Sequence, residues 1–170
     1  LNSEIIKIPS HEIYNQELIS LCIENFNLTL VSTGASRSHE VENLKNSLDL
    51  SKSVFMHCVS SYPCPPEKVN LPRLEYMKKF TKNIGYSGHF YGIDDAIAAI
   101  CAGATYIEKH FTIDNSLDGR DNKFALLPKD LNSLSMFRDN YTKMIIDKGV
   151  DLQDSEMDTF NNYRGRWSND

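Results

Sequence analysis

Two histidines stand at the ends of apolar runs that have the length of β-strands. His89 closes residues 84–89 and His110 closes residues 105–110, and a helical pattern lies between the two runs. The ends of neighbouring parallel strands meet at one edge, so the two imidazoles are expected to face the same point. Two imidazoles, completed by water and substrate oxygens, suit Mn²⁺, Co²⁺, Fe²⁺ or Zn²⁺ in an open site. On spacing alone, a pair of hydrogen-bonded strand-end histidines without a metal is the alternative.

Lys7 lies inside an otherwise apolar strand pattern. A buried ammonium group is costly unless an anion neutralises it. Three serines beside strand ends can donate hydroxyl groups to the same anion, namely Ser10, Ser32 and Ser87. The pattern therefore indicates a phosphate or carboxylate site. Equally, Lys7 could reach solvent or pair with a structural glutamate.

Loop residues offer further polar groups. Glu12 and Asp121 can hold sugar hydroxyls or move a proton, although a solvated loop carboxylate is the commoner case. Tyr62 can cover a bound ligand with its ring and donate from its hydroxyl, or it can pack the loop against the rim of the site.

Strand parity sorts the remaining polar residues. Because side chains alternate along a strand, Glu108 shares a face with His110 and can pair with an inward cation. Lys109 points to the opposite face and is expected to be structural. His57 is expected to face inward as a hydrogen-bonded core histidine.

These residues sit on an alternation of strands and helices. The predicted strands are residues 5–9, 28–32, 54–59, 84–89 and 105–110, and the predicted helices are 15–25, one capped by Ser38, about 70–80, 94–102 and 128–148. Five strand–helix units indicate a parallel sheet with helical crossovers, either doubly wound or barrel-like. No Gly-x-Gly-x-x-Gly follows a strand, and a polar residue stands at the end of every strand, which favours a (β/α)8 barrel. Five units cannot close eight strands, so an incomplete barrel over residues 1–149 with a polar tail over 150–170 is expected.

Composition narrows the class of protein. The chain has 170 residues, 41% of them hydrophobic, and a net charge of −5 without clustered Lys and Arg, which argues against nucleic acid as the main partner. No apolar run approaches the length of a membrane span, and nothing at the start marks secretion. Four cysteines without a Cys-x-x-Cys pair predict a reducing, cytoplasmic setting. The absence of an initiator Met suggests a fragment of a longer chain.

Five segments taken in order resemble the sialic acid (N-acetylneuraminate) synthase family. They are KIPSHE (7–12), VSTG (31–34), HCVSSYP (57–63), GYSGH (85–89) and EKHFT (108–112). The resemblance covers about residues 4–146 and implies strands four to eight of a (β/α)8 barrel, in an enzyme that is expected to be a homodimer. The implied reaction condenses phosphoenolpyruvate with an N-acetylated hexose, N-acetylmannosamine or a related bacterial amino sugar, and releases phosphate and a nine-carbon 2-keto acid.

The resemblance also assigns roles to residues. His89 and His110 look like the pair that holds the divalent metal, usually Mn²⁺. The phosphate and carboxylate of phosphoenolpyruvate are expected at Lys7, Ser10, Ser32 and Ser87, with Ser60 nearby. The acceptor sugar is expected at Glu12, Tyr62 and Asp121, with Glu12 grouped with the two histidines as catalytic.

Some features depart from that family. Gly88 replaces the common Asp before the histidine, and an early glutamate strand and a lysine–glutamine strand are absent from these residues. The tail is too short for the small C-terminal domain of many members, so Arg164 or Arg166 is a candidate substitute for an arginine of that domain. Two alternatives follow: another phosphoenolpyruvate–aldose condensing barrel of the 3-deoxy-heptulosonate synthase type, or a fragment that binds ligand without turnover.

Overall fold

Five parallel strands form a sheet whose spatial order is their order along the chain. The computed structural model describes residues 3–47 and 50–167. The strands are β1 (Ile5–Ile8), β2 (Leu28–Ser32), β3 (Ser53–Cys58), β4 (Ile84–Gly88) and β5 (Tyr106–Lys109). Each strand pairs in parallel with the next. The predicted parallel sheet with crossovers is therefore confirmed, as an open sheet with β1 and β5 at its edges.

Helices connect and follow the strands. They are α1 (Gln16–Asn25), α2 (Ser38–Ser47), α3 (Arg73–Met77), α4 (Asp94–Cys101), α5 (Pro128–Met144) and α6 (Met157–Asn162). The start of α1 follows from its sequence, because the Asn15 side chain accepts a hydrogen bond from the backbone N–H of Leu18. Gly103, with a φ of +94°, comes directly after the last turn of α4, where a left-handed residue commonly ends a helix.

Three helix predictions need correction. Helix α3 has five residues, fewer than the predicted 70–80, because Asn70 takes a left-handed conformation (φ 52°) and turns flank the helix on both sides. Helix α5 ends at Met144, before the predicted stop at Lys148. Helix α6 lies in the segment that was expected to be an unpatterned tail.

The two faces of the sheet have different surroundings. One face and the helices share a buried apolar cluster, whose members include Ile8, Val31, Phe55, Ile84 and Tyr86 from the strands and Ile19, Leu44, Leu74 and Ala99 from the helices. The other face carries Lys7 and the register partners Ser87 and Glu108. The sheet thus packs its apolar side chains under the helices and leaves polar groups for the opposite side.

The expectation that His57 faces inward is wrong. In the register of β3 and β4 it pairs with Tyr86, which belongs to the helix-facing core. Its ring is fully buried, and Nε2 lies 2.7 Å from the carbonyl oxygen of Val69. His57 is therefore a hydrogen-bonded core residue, as expected, but on the helix side of the sheet.

By internal contacts the chain divides into two compact units, Leu1–Arg138 and Asp139–Asp170. The first contains the whole sheet. The second contains α6 and several exposed apolar side chains, among them Val150 and Trp167. Within the described residues, no helix combines the length and the apolar character that a membrane crossing requires. All four cysteines are free thiols.

Candidate functional site

The carboxyl ends of the strands border a cavity of about 650 Å³. Most of the residues predicted for the site line it, namely Lys7, Ser10, Ser60, Tyr62, Ser87, His89, His110 and Asp121. Strand ends and the loops that follow them supply all of these side chains. This is the arrangement by which parallel β/α folds assemble sites from residues far apart in sequence.

The two histidines lie next to each other in the cavity. Their ring centroids are 5.3 Å apart. His89 Nδ1 lies 2.9 Å from the carbonyl oxygen of Val59, so Nδ1 carries the proton and Nε2 keeps its lone pair. His110 Nδ1 lies 3.9 Å from an Asp121 carboxylate oxygen. Burial lowers the pKa of both imidazoles below their ordinary value, so both are neutral at pH 7.

A neutral imidazole with one nitrogen fixed by a hydrogen bond, as in His89, suits metal ligation. Among the residues that the structure describes, no three His, Cys, Asp or Glu side chains converge on a point suited to a metal ion. Two imidazole ligands would leave the other positions of a divalent ion to water and substrate.

Tyr62 covers the histidine pair. Its ring centroid lies 4.1 Å from that of His89 and 6.1 Å from that of His110. Tyr62 is 46% exposed as a residue, so it lies against the imidazoles and also reaches solvent. Partial burial raises the pKa of the Tyr62 hydroxyl, which therefore stays protonated and able to donate at neutral pH.

Lys7, Glu108 and Ser87 form a charged cluster on the same face. Lys7 Nζ lies 2.9 Å from Glu108 Oε2, and the Ser87 hydroxyl donates to the same oxygen at 2.6 Å. Burial raises the pKa of Glu108, but the hydrogen bonds from Ser87 and Lys7 outweigh it, and the net pKa is lowered. Glu108 is therefore ionised at neutral pH. Lys7 has the glutamate partner considered as an alternative, while its side chain stays 31% exposed at the cavity.

Ser10 and Ser60 gather around Gly34. The Ser10 hydroxyl oxygen accepts a hydrogen bond from the Gly34 N–H at 3.0 Å. A Cβ at position 34 would overlap Ser60 Oγ and would lie 2.7 Å from Ser10 Oγ and 2.9 Å from Cys58 Sγ. The glycine thus lets the Ser10 and Ser60 hydroxyl groups and the Gly34 N–H approach one another.

Two predicted residues are not among those that line the cavity. Ser32 is fully buried, and its hydroxyl has no hydrogen-bond partner among the described residues. Glu12 follows β1 in a short 3-10 turn and accepts a hydrogen bond from the Asn15 side chain at 3.1 Å. The proposed roles of Ser32 and Glu12 in substrate binding remain predictions.

Cys58 and Arg120 are among the cavity residues for which the sequence predicted no role. Cys58 lines the cavity, and its Sγ lies 4.0 Å from His89 Nδ1. Its inward orientation follows from its register with Ser87, which sequence alone does not give. Arg120 also lines the cavity, from a loop whose sequence has no strand or helix pattern to orient it.

Comparisons with known sequences point to one family. A family model described as "NeuB family" matches residues 1–148. The chain is 36% identical over 140 residues to N,N'-diacetyllegionaminic acid synthase of Campylobacter jejuni, covering 79% of this chain and 42% of that protein. It is 37% identical over 147 residues to N-acetylneuraminate-9-phosphate synthase of Drosophila melanogaster, covering 83% and 39%. The chain thus spans about two fifths of the length of these relatives.

Solved structures agree on the fold. An N-acetylneuraminic acid (sialic acid) synthetase from Leptospira borgpetersenii, in complex with citrate, superposes with a TM-score of 0.83 and 31% identity, over 94% of this chain and 57% of that one. A DAHP synthase from Thermotoga maritima has a TM-score of 0.66 at 17% identity, over 84% and 46%, and supports the fold alone. The five strands are therefore a half-barrel of the kind found in these barrel enzymes.

Proposed function

Because the chain belongs to the NeuB family, as its motifs predicted, we propose that it carries strands four to eight of a catalytic (β/α)8 barrel. The enzyme condenses phosphoenolpyruvate with an N-acetylated hexose, N-acetylmannosamine or a related bacterial amino sugar. Relatives named as legionaminic, pseudaminic and N-acetylneuraminate-9-phosphate synthases support this class of reaction. The observation that carries the proposal is that the histidine pair and Lys7 border one cavity.

His89 and His110 hold the divalent metal through their ring nitrogens. When bound, Mn²⁺ supplies a Lewis acid for the aldehyde of the open-chain sugar. The imidazoles are neutral at pH 7, so they ligate without first losing a proton. Tyr62 lies against both rings and is placed to donate to a sugar oxygen while it shields the pair from bulk water.

The anionic substrate binds on the other side of the cavity. Lys7 neutralises charge on the phosphate or carboxylate, and the hydroxyl groups of Ser10, Ser32 and Ser60 donate to the remaining oxygens. Glu108 holds the Lys7 ammonium in place, and Ser87 turns its hydroxyl from Glu108 to the anion when substrate binds. Glu12 and Asp121 contact the acceptor sugar. In the reaction, C3 of phosphoenolpyruvate forms the new bond to the aldehyde carbon, water adds at C2, and phosphate leaves.

The test measures phosphate release by the intact protein with Mn²⁺, phosphoenolpyruvate and a panel of N-acetylated hexoses. His89→Ala and His110→Ala are each expected to lower turnover at least about a hundredfold, since even residues that only support metal ligands cost about 10- to 100-fold. The exposed His39→Ala serves as the matched control. Turnover that survives both site variants would disprove the metal assignment.

Acceptor choice separates the synthase from its runner-up. A 3-deoxy-heptulosonate synthase type of enzyme would prefer a phosphorylated aldose, whose phosphate needs a second group of cations. Product formed only from phosphorylated aldoses that lack an N-acetyl group would favour that alternative. Binding of phosphoenolpyruvate without product from any sugar would favour a ligand-binding role.

A further inference from the structure

A buried ion pair lies on the helix side of the sheet, and its lysine directly precedes His110 in sequence. Lys109 Nζ lies 2.9 Å from both carboxylate oxygens of Asp95, the second residue of α4. The two side chains are 5% and 2% exposed. The hydroxyl of Tyr86, itself buried, donates to Asp95 Oδ2 at 2.8 Å. The carboxylate is therefore neutralised and hydrogen-bonded from two sides, as a buried charge must be.

The ion pair joins the ends of two strands. Lys109 directly precedes His110, and its ammonium also donates to the carbonyl oxygen of Phe90 at 2.8 Å. Phe90 directly follows His89. One ammonium group therefore links the chain just after the first histidine to the chain just before the second, and Asp95 holds that ammonium from α4.

The carboxylate has room because residue 88 is glycine. A Cβ on Gly88 would overlap Asp95 Oδ2 and would lie 2.5 Å from Tyr86 Cε1. Gly88 is also the register partner of Lys109 across β4 and β5. A side chain on residue 88 would thus enter the space that the Asp95 carboxylate and the edge of the Tyr86 ring now fill, so the Tyr86 ring must turn aside in any variant that carries one.

We propose that Asp95 is a positioning residue for the histidine pair, acting through Lys109. A carboxylate on residue 88 could take the place of the Asp95 carboxylate. This proposal rests on the proposed function, because the distance between His89 and His110 affects activity only if the two imidazoles hold a metal together. Asp95 and Lys109 fix the separation of the two strand ends, and this separation sets the distance between the imidazoles. Asp95 touches neither substrate nor metal.

The test compares four variants of the intact protein by Mn²⁺ titration, thermal unfolding and kinetics at saturating Mn²⁺. They are Asp95→Ala, Gly88→Asp, the double variant that carries both changes, and Asp94→Ala as control. Asp94 is the exposed neighbour of Asp95 in the same helical turn. Asp95→Ala is expected to raise the Kd for Mn²⁺ at least about tenfold, in the range seen when support for metal ligands is lost. The double variant is expected to return to within about threefold of the native Kd, and the control to stay within about twofold.

A purely structural ion pair would give a different result. It would lower the unfolding temperature of Asp95→Ala and leave the Kd for Mn²⁺ within about twofold of native, which would overturn the proposal. If Asp95→Ala does not fold, the double variant decides: recovery of folding and Mn²⁺ affinity supports the proposal, and failure of either contradicts it. A native protein that binds no Mn²⁺ would instead disprove the metal role itself, and the positioning role with it.

Discussion

His57 is a buried imidazole on the helix side of the sheet, and its titration opposes folding. Burial lowers its pKa, and the positive charge of Arg73 lowers it further, against the opposing effect of the hydrogen bond with Val69. Above the unfolded-state pKa of about 6.5 both states are neutral and the ring carries no penalty. As the pH falls below that value, the unfolded chain takes up a proton that the folded chain resists, and stability decreases until the folded pKa is reached.

His57→Gln is therefore expected to reduce the acid sensitivity of the fold. Glutamine can keep a hydrogen bond to Val69 but does not titrate. Urea unfolding of the intact protein at pH 7, 6 and 5 should show a shallower loss of stability in the variant, by up to about 1.4 kcal/mol per pH unit inside the window. The exposed His39→Gln is the control and should follow the native curve. Parallel curves for native protein and His57→Gln would contradict the prediction.

At the scale of single residues, parity along one strand could be predicted and register between strands could not. Counting from His110 places Glu108 on the cavity face, where it pairs with Lys7. The same reasoning failed for His57, because the facing of a residue near a strand end depends on which residue of the neighbouring strand lies opposite. That register is set by packing of the whole sheet, and it also brings Cys58 into the cavity.

At the scale of elements, the loop after β2 controls the anion side of the cavity. Gly34→Ala would push against Ser60 Oγ and Ser10 Oγ, which are side-chain ends that can move. We expect KM for phosphoenolpyruvate to rise about tenfold or more, because the displaced hydroxyl groups no longer meet one anion. The unfolding temperature should change little, since φ at Gly34 is not left-handed and the three nearest atoms, Ser60 Oγ, Ser10 Oγ and Cys58 Sγ, all belong to side chains.

The double variant Gly34→Ala/Ser60→Ala provides the control for this prediction. The double variant removes the most severe overlap. Its change in KM for phosphoenolpyruvate, expressed as a free energy, should therefore be smaller than the sum of the changes in the two single variants. Steady-state kinetics of the three proteins measure this coupling. Strict additivity would show that the two positions act independently and that the loop does not set the hydroxyl geometry.

The sequence predicted helices that have both a capping residue and a stripe of buried apolar side chains, and it missed a helix that has no buried side chains. Helix α1 has both an Asn cap and a buried stripe. Helix α6 lacks buried residues, so hydrophobic periodicity gave no sign of it. Its signal was local, a capping box in which Gln153 and Glu156 exchange hydrogen bonds just before the helix.

At the scale of the whole molecule, every residue predicted for the site, apart from the candidates Arg164 and Arg166, belongs to the first compact unit, Leu1–Arg138. Removing residues 150–170 is therefore expected to change the Kd for Mn²⁺ by less than about twofold. The guanidinium groups of Arg164 and Arg166 lie over rings of their own unit, 4.7 Å from the Phe160 centroid and 5.6 Å from that of Trp167. We expect KM for phosphoenolpyruvate to be unchanged as well, which calorimetry and steady-state kinetics of the truncated and intact proteins would check.

Arg164→Ala/Arg166→Ala in the intact protein separates a role of these arginines from a role of the tail as a whole. A raised KM for phosphoenolpyruvate in that variant would restore the hypothesis that one of them replaces a missing arginine.

The parallel sheet could be predicted without any of these side-chain details, since alternating strand and helix patterns already imply it.

The shared space of Gly88 and Asp95 has an evolutionary consequence. Neither position can mutate freely while the other stays fixed. Carboxylates at both positions would collide, and without a carboxylate at either position the Lys109 ammonium would be buried without a counter-ion. Lineages should therefore inherit one of two pairings: an acidic residue on the strand with a neutral one on the helix, or glycine on the strand with an acidic one on the helix. An alignment of homologues in which the two positions drift without correlation would show that selection never acted on them jointly.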